Sequence, residues 1–259
     1  MLSFYLYPLS RVLWISVTEP QPGLANYALL FTNPAIHRIL GTTARICALT
    51  TALTLLLGYL VAYAMTHVRD SHRQWMLFCI LLTFWLSVLV RAFAWVMLLR
   101  HDGPINWALV GLGIVDQPVT LVRNQIGVVI GMVHYMLPYA IFPLYVNMQG
   151  IDARLVTAAR GLGASPFTAF WRVFLPLNRP GIIGAGMLVF VFSLGFYITP
   201  AILGGGRTTM VAEYVGYQIQ QTVRWGLATM LASALLLTVF LMIFVLSRIV
   251  SLRRLFAAA

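Results

Sequence analysis

Lysine is absent from this chain: all 17 basic residues are arginine. A phosphate-binding Walker A loop ends in Gly-Lys-Ser/Thr, and Schiff-base chemistry needs a lysine amine, so neither can be built here. Acidic residues are scarce as well, with 6 in 259 residues, and no clustered carboxylate pair, His-Glu-x-x-His or Gly-x-Ser-x-Gly motif occurs. The sequence therefore predicts no catalytic site and no cofactor-binding site in this chain.

Cysteine is nearly absent too. Only Cys47 and Cys79 occur, each inside an apolar run, so neither a disulfide framework nor a paired-cysteine metal site is available. The five histidines are scattered, and we interpret His134 as a packing residue and not as a metal ligand. No metal site is predicted.

Charge is low throughout: 9% of the residues are charged and 61% are hydrophobic. A soluble domain carries about 25% charged residues, and a soluble fold of this length has no core large enough for so much apolar surface. We therefore expect a membrane protein. The net charge of +11 does not indicate a nucleic-acid partner, because the arginines lie between apolar segments, as topology signals do.

The apolar residues fall into segments long enough to cross a bilayer, which takes about 20 residues each. Five segments qualify, and a sixth, short segment that carries Arg11 is interpreted as the last part of a spanning helix that begins upstream. The six segments are Leu2–Val17, Ile46–Thr66, Gln74–Leu99, Ile126–Val146, Gly181–Leu203 and Leu227–Ser247. The predicted fold is an all-α polytopic membrane protein with six transmembrane helices, forming a single domain over residues 1–259.

The arginines also predict an orientation, because cytoplasmic loops are enriched in them. With the amino terminus inside, nine arginines lie on the inner side and five on the outer side, apart from Arg45, which directly precedes the span Ile46–Thr66. The inner set is Arg69, Arg73, Arg154, Arg160, Arg172, Arg179, Arg248, Arg253 and Arg254, and the outer set is Arg38, Arg100, Arg123, Arg207 and Arg224. Both termini are therefore predicted to be cytoplasmic.

Two connections on the outer side have distinct compositions. Gly103-Pro104-Ile105-Asn106 precedes an apolar run over Trp107–Val115 that is too short to span, which predicts a surface or re-entrant helix. The connection Gly204–Trp225 begins with the three glycines Gly204–Gly206, which are expected to form a flexible turn.

The inner connection between the fourth and fifth spans is long and carries signals for two short helices. The first is predicted over Asp152–Leu162, with Asp152 as the N-cap and Gly163 as a C-terminal stop. The second begins with Ser165 as N-cap and Pro166 at the first helical position. It is expected to end before Leu175-Pro176, because proline cannot continue the hydrogen-bond ladder.

The second helix should carry an apolar face made by Phe167, Phe170, Trp171 and Phe174 at helical spacing. An apolar face on a cytosolic helix must be buried against something. It either packs on the inner ends of this chain's own helices or forms a docking surface for a soluble subunit. Both alternatives stay open at this stage, and one helix can anchor while the other docks.

This inner segment resembles the cytoplasmic coupling loop of binding-protein-dependent ABC importers. That loop has Glu-Ala-Ala, three residues, Gly, and then about nine residues to an apolar-x-Leu-Pro ending. Ala158, Ala159, Gly163, Leu175 and Pro176 match it residue by residue. The usual glutamate is replaced by Thr157, and a commonly acidic neighbour is Gly161, so docking here would depend more on shape and on Arg154 and Arg160.

The resemblance extends over nearly the whole chain to permeases of spermidine/putrescine-type importers. It is carried by Phe84–Arg91, Gly103–Asn106, Leu137–Tyr139, Pro143–Tyr145 and Gly195–Gly205. It implies a permease of the bacterial inner membrane that imports small polar solutes, a polyamine or a related amine- or opine-type solute, by alternating access. It also implies four kinds of partner: an ABC ATPase dimer that binds ATP-Mg, a second homologous permease, a periplasmic solute-binding protein and membrane lipid.

The resemblance and the residue types together assign candidate roles. The ATPase-coupling residues lie in the loop 151–180: Arg154, Thr157, Ala158, Ala159, Arg160, Gly163, Ser165, Phe170, Leu175 and Pro176. The translocation-path candidates are Arg91, Tyr139, Tyr197 and Thr199, with snorkelling as the alternative for Arg91 and ordinary packing for the others. The candidates for a periplasmic gate or binding-protein contact are Asn106, Gly204, Gly205 and Gly206.

The rival hypothesis is an ion-coupled secondary transporter or a channel. Secondary carriers often have inverted repeats and acidic residues within the membrane. The predicted spans contain no aspartate or glutamate, and no repeat is detectable. A purely structural membrane protein is a second alternative, and it would not need the loop helices.

Overall fold

The computed structural model of the protein describes residues 2–249, and all the regular structure within this range is helical. The first seven helices are α1 (Leu2–Thr18), α2 (Ala25–Thr32), α3 (Pro34–His67), α4 (Asp70–Trp85), α5 (Val88–Leu99), α6 (Pro104–Gly111) and α7 (Gln125–Gln149). The remainder are α8 (Ala153–Gly161), α9 (Pro166–Ala169), a π-helical turn (Phe170–Phe174), α10 (Leu175–Leu177), α11 (Arg179–Leu194), α12 (Ile198–Leu203), α13 (Val211–Gln220) and α14 (Trp225–Ile249). The predicted all-α class is confirmed. Arg253 and Arg254, which were predicted to lie on the inner side, are outside the described residues.

Three of the described helices, α3, α7 and α14, are each long and apolar enough to cross a membrane alone. They contain the predicted spans Ile46–Thr66, Ile126–Val146 and Leu227–Ser247. Two bent helix pairs raise the number of candidate spans within residues 2–249 to as many as five. The predicted total of six stays a prediction.

Two predicted spans are not continuous helices. The segment Gln74–Leu99 is interrupted at Leu86 and Ser87, because Leu86 has an extended backbone (φ −78°, ψ 129°) that breaks the helical ladder. Serine is favoured at the position just before a helix, and α5 begins directly after Ser87. The segment Gly181–Leu203 is interrupted at Gly195–Tyr197, between α11 and α12. Apolar composition had concealed both breaks.

The described residues form two compact units, of which the first comprises 2–49, 88–132 and 192–244. Its core contains the buried side chains of Ile36, Val211, Met230 and Leu231. The backbone N–H of Val211 donates to Thr43 Oγ1 over 2.9 Å in this core. Helix α13 is therefore an integral part of the unit, although the sequence signals had predicted no helix between Gly204 and Trp225.

The second unit comprises 50–87, 133–191 and 245–249. Its helices approach closely at small residues: a Cβ on Gly58 would lie 3.1 Å from Ala140 Cβ, and one on Gly186 would lie 3.1 Å from Leu55 Cδ1. Such contacts are typical of helix packing in membranes, where close van der Waals approach replaces the hydrophobic driving force. Helix α4 of this unit has no buried residue, as expected of a helix that faces lipid.

Candidate functional site

The inner connection after α7 begins with the short helix α8, which is capped as predicted. The Asp152 side chain accepts a hydrogen bond from the Arg154 N–H over 2.9 Å. The helix ends at Gly161, and Gly163 follows with φ +90°, a backbone conformation that glycine adopts without strain. Local sequence signals thus fix the position of α8 in the chain.

Helix α8 lies on the surface and has no buried residue. Arg154, Thr157, Ala158 and Arg160 are all exposed, and Ala159 is half-buried. The Thr157 hydroxyl donates to the Ala153 carbonyl over 3.1 Å and so turns back onto its own helix. Because its one preceding acid, Asp152, serves as the cap, the helix presents two arginines and no carboxylate.

The second loop helix begins as predicted but ends later than predicted. Ser165 Oγ accepts from the Thr168 N–H over 3.1 Å, and Pro166 occupies the first turn of α9. The chain then widens into the π-helical turn Phe170–Phe174 and continues helically through Pro176 to Leu177.

The expected end before Leu175-Pro176 is therefore wrong, and the π turn explains why. In an α-helix the ring of Pro176 would clash with the carbonyl four residues earlier and leave it unpaired. In the π turn the Leu175 N–H instead donates to the Phe170 carbonyl, five residues back. This wider turn accommodates the proline without ending the helix.

The aromatic face of the second helix divides into an inward and an outward part. The Phe170 ring packs edge-on against Tyr63 and Tyr59, with centroids 5.5 Å and 6.2 Å apart. Phe174 packs edge-on against Tyr63 at 5.4 Å. The alternative of packing on this chain's own helices thus holds for Phe170 and Phe174. Phe167 remains 72% exposed, and the docking alternative stays a prediction.

The outward part consists of large exposed apolar side chains at the turn between the two loop helices and on the second of them. Leu162 is 90% exposed and Trp171 is 52% exposed. The Phe167 and Trp171 rings lie 5.9 Å apart and contact each other. We call Leu162, Phe167 and Trp171 the outward patch. None of the three was among the predicted coupling residues, although the spacing of Phe167 and Trp171 had already indicated the aromatic face.

The tyrosines that hold this loop were also missed by the sequence analysis. Tyr59 and Tyr63 lie one turn apart on α3, a pattern that an ordinary spanning helix also has, so no sequence signal distinguished them. Through their contacts with Phe170 and Phe174, they fix the loop to the inner part of the second unit.

The predicted translocation-path residues lie in both units. In the first unit, Arg91 is half-buried in the first turn of α5, and Thr199 is buried on α12, where a Cβ on Gly131 would lie 2.7 Å from its Cγ2. Tyr197 of the same unit packs on α13, with Cε2 3.0 Å from a Cβ built on Gly216. In the second unit, Tyr139 contacts the Phe84 ring at 5.2 Å. Their proposed role stays a prediction.

The residues predicted for a periplasmic contact differ in accessibility. Asn106 is fully buried: its amide donates to the carbonyls of Arg100 and Val119 over 2.9 Å each and accepts from the Val119 N–H over 2.8 Å. Gly204 is buried, whereas Gly205 (φ +54°) and Gly206 (φ +74°) are exposed and form a left-handed turn. In this conformation only the two later glycines are accessible to a partner.

The architecture defines the class of the protein: a polytopic helical membrane protein with an exposed helical loop and with no cluster of metal-binding residues among the described side chains. The chain belongs to the family described as the binding-protein-dependent transport system inner membrane component, which matches residues 54–255. It is a transmembrane permease of that importer family and not an enzyme, which favours this function over a secondary transporter or a channel.

Individual relatives agree with the family. The chain is 31% identical over 243 residues to the spermidine/putrescine transport system permease protein PotB of Haemophilus influenzae, covering 94% of this chain and 80% of that protein. It is 29% identical to PotB of Escherichia coli K12, covering 85% of this chain and 81% of that protein.

Two solved structures share the fold. The first is a bacterial ABC transporter that imports the acidic polysaccharide alginate, with TM-score 0.76, 17% identity, and coverage of 95% of this chain and 90% of that chain. The second is a bacterial alginate ABC transporter in complex with an alginate-bound periplasmic protein, with TM-score 0.68, 17% identity, and coverage of 93% and 92%. At this level of identity the two structures support the fold alone.

Proposed function

We propose that this chain is the permease subunit of a polyamine importer and that the loop 151–180 docks on a cytoplasmic ATPase. The outward patch is the observation that carries the docking step. Leu162, Phe167 and Trp171 are large apolar side chains exposed on a helical loop that is fixed by Phe170 and Phe174. An exposed apolar patch on a rigid support is typical of a protein interface.

The mechanism follows from the rigidity of this loop. The aromatic contacts between Phe170 and Tyr63 and between Phe174 and Tyr63 join the loop to α3. When the ATPase pair binds ATP-Mg and closes, a loop fixed in this way transmits the displacement to the spanning helices, and the pathway opens outward. A second homologous permease completes the pathway, and hydrolysis of ATP resets it. This chain contributes the pathway and the lever.

The assignment of polyamines as cargo comes from the relatives, whose names specify spermidine and putrescine. The predicted spans carry no acidic residue that would bind a polyamine strongly. Charge recognition therefore belongs to a periplasmic binding protein, and the pathway offers only transient contacts through Tyr139, Tyr197 and Thr199. Both termini are cytoplasmic in this proposal, and six spans cross the inner membrane.

Co-purification tests the docking step. The double variant Leu162→Ala/Phe167→Ala should lose at least about tenfold of the ATPase that co-purifies with the tagged permease, because central apolar contacts dominate interface energies. Trp75→Ala is the matched control, since Trp75 is 68% exposed but lies on α4, outside the loop. Equal ATPase recovery from all three proteins would contradict the docking proposal.

Calorimetry on the partner periplasmic protein tests the cargo separately. We expect spermidine or putrescine to bind and a panel of sugars and oxyanions not to bind. Arg91→Leu tests the pathway, because an arginine in hydrocarbon is costly unless it faces a partner or water. The variant should assemble normally but take up little solute into vesicles. Unchanged uptake would exclude Arg91 from the pathway.

A further inference from the structure

A cavity of about 610 Å³ lies within the second unit, between the coupling-loop helices and the inner ends of α3 and α7. Its volume is in the range of small-molecule sites, about 300–1,000 Å³. Thr157, Arg160 and Phe170 contribute to its wall from the loop, and Tyr63 and His67 contribute from α3. The aromatic contacts between Phe170 and Tyr63 therefore form one side of a space that remains open beside them.

The wall of the cavity is basic. Arg73 and Arg160 line the cavity, and no described lining residue is acidic. Asp70 accepts a hydrogen bond from one Arg73 nitrogen over 2.6 Å, but it is an exposed residue outside the cavity wall. The other donors of the Arg73 guanidinium, and the exposed Arg160, remain available to a ligand.

The other polar lining groups add fewer donors. The hydroxyls of Thr66 and Thr157 donate to the backbone carbonyls of Tyr63 and Ala153, whereas Gln149 keeps one amide N–H beyond the one that donates to the Tyr145 hydroxyl. His67 lies beside Thr66 with its Nδ1 2.9 Å from the Thr66 hydroxyl. Position 157 is where the resembling coupling loops carry glutamate, so threonine there leaves the cavity without a carboxylate. Guanidinium groups with neighbouring donors are the usual protein ligands of phosphate.

The surroundings of the cavity are those of a membrane interface. Arg73 lies in the first turn of α4, and the same helix continues with the exposed, mutually contacting rings of Trp75 and Phe78 at 5.9 Å. Tryptophan next to basic residues at a helix end is typical of the boundary between head groups and acyl chains. Basic pockets between helices on the cytoplasmic side bind anionic lipid head groups.

We propose that this cavity is a phosphate-binding site, occupied by the head group of an anionic phospholipid or by a soluble phosphate compound. Arg160 and Arg73 bind the phosphate oxygens, and Tyr63 and Phe170 form the apolar wall. A molecule bound here contacts both the loop and α3, so it would stiffen the connection between them. The proposal rests on the cavity itself and does not depend on the loop docking to an ATPase.

Native mass spectrometry of the full-length purified chain tests the site. The chain is equilibrated with phosphatidylglycerol or phosphatidylcholine in detergent, and the retained lipid is counted. We expect preferential retention of phosphatidylglycerol and about a tenfold loss of it in Arg160→Gln and in Arg73→Gln, since each removes a charge-assisted contact. Arg160→Lys should retain part of the preference.

Arg172→Gln is the matched control, because Arg172 is an exposed arginine of the same loop that does not line the cavity. Pyrophosphate without lipid tests the soluble source: saturable protection of the wild-type chain against thermal unfolding, lost in Arg160→Gln, would assign the site to a soluble compound. Binding of neither phosphate source would overturn the proposal. An equal loss of lipid in Arg172→Gln and Arg160→Gln would overturn it too, because attraction to the basic surface would then account for binding.

Discussion

The two long connections of this permease are 151–177, predicted to be on the inner side, and 204–225, predicted to be on the outer side, and they have opposite relations to the protein core. The inner one contains α8, which has no buried residue, and presents Leu162 and Phe167 to the surroundings. The outer one contains Thr208, Met210, Val211 and Gln218, all buried. The connection 151–177 is therefore mostly exposed and is attached through a few side chains, whereas the connection 204–225 is part of the packed interior of its unit.

This difference predicts what substitutions will do in each connection. A change in the outer connection disturbs packing and should reduce the stability of the chain. A change in the exposed part of the inner connection removes no buried contact and should reduce mainly what the loop does with a partner. The predictions below test this division from the largest expected effect to the smallest.

Gly226, at the end of the outer connection, should tolerate no side chain. A Cβ at this position would overlap the Glu19 carbonyl oxygen and lie 2.9 Å from Asn26 Nδ2, which donates to that same carbonyl. Because backbone cannot move aside as a side-chain end can, Gly226→Ala should cost about 1–3 kcal/mol or more. Thermal unfolding of the purified variant measures the loss.

Gly41→Ala provides the control for this substitution. A Cβ on Gly41 has no neighbour within 4 Å, and Gly41 lies within α3. Alanine there should be neutral or slightly stabilising, because it favours the helix. If both alanine variants unfolded at the wild-type temperature, the close approach at Gly226 would not be a constraint on the fold.

Substitutions of two nearby aromatic residues in the inner connection should have different effects, one on stability and the other on transport. Phe170→Ala removes the ring that packs on Tyr59 and Tyr63 and should destabilise the chain by about 1–3 kcal/mol. Phe167→Ala, three residues earlier, should leave the unfolding temperature within about 1 °C of wild type while reducing uptake. Thermal unfolding and vesicle uptake of the two variants, measured side by side, check the split. Equal destabilisation by both would show that the outward patch is internal packing.

The sequence predicted the inner connection well because its signals are local. Asp152, Gly163, Ser165 and Pro166 each act on backbone within a few residues, so both helix starts and the break between them were correct. The predicted end of the second loop helix was wrong because the π turn at Phe170–Phe174 accommodates Pro176 while Phe170 packs on α3. A contact so distant in sequence leaves no local signal.

Helix α13 of the outer connection was not predicted, for the same reason. Three glycines favoured a turn, and Gly205 and Gly206 form one with positive φ angles. Helix α13 after them is stabilised by Val211 packing with Ile36 and Met230 and by the hydrogen bond to Thr43, which lies 168 residues away. Asn106 likewise read as an accessible loop residue, but its buried hydrogen bonds to Arg100 and Val119 depend on how the chain folds back on itself.

The caps of the inner connection should have a moderate and local effect. Asp152→Ala removes the acceptor for the Arg154 N–H and should destabilise α8 by about 1 kcal/mol. Hydrogen exchange over residues 153–161 should become about fivefold faster, because α8 has no buried residue to compensate. Asp152→Asn keeps a capping oxygen and should exchange nearly as wild type does. Unchanged exchange in Asp152→Ala would mean that a partner, not the cap, holds the helix.

The smallest expected effect concerns Glu213 in the outer connection. Burial raises the pKa of its carboxyl above the ordinary value, opposed by a hydrogen bond from the Met210 backbone, and its Oε2 is buried without a hydrogen-bond partner among the described residues. The folded state therefore binds the proton more tightly than the unfolded state does. Stability should be highest below the ordinary pKa of glutamate and should fall as the pH rises through the raised value.

Glu213→Gln should remove this pH dependence and raise the unfolding temperature at neutral pH by a few degrees, to about that of the protonated wild type. Unfolding temperatures measured from about pH 4 to about pH 8 check it. Asp116→Asn is the control, because Asp116 is an exposed acid on the same side of the predicted topology and should leave the slope unchanged. If Glu213→Gln kept the wild-type dependence of the unfolding temperature on pH, that dependence would belong to another group. Helix α13 would then hold a charged Glu213 carboxylate without loss of stability, although one carboxylate oxygen is buried.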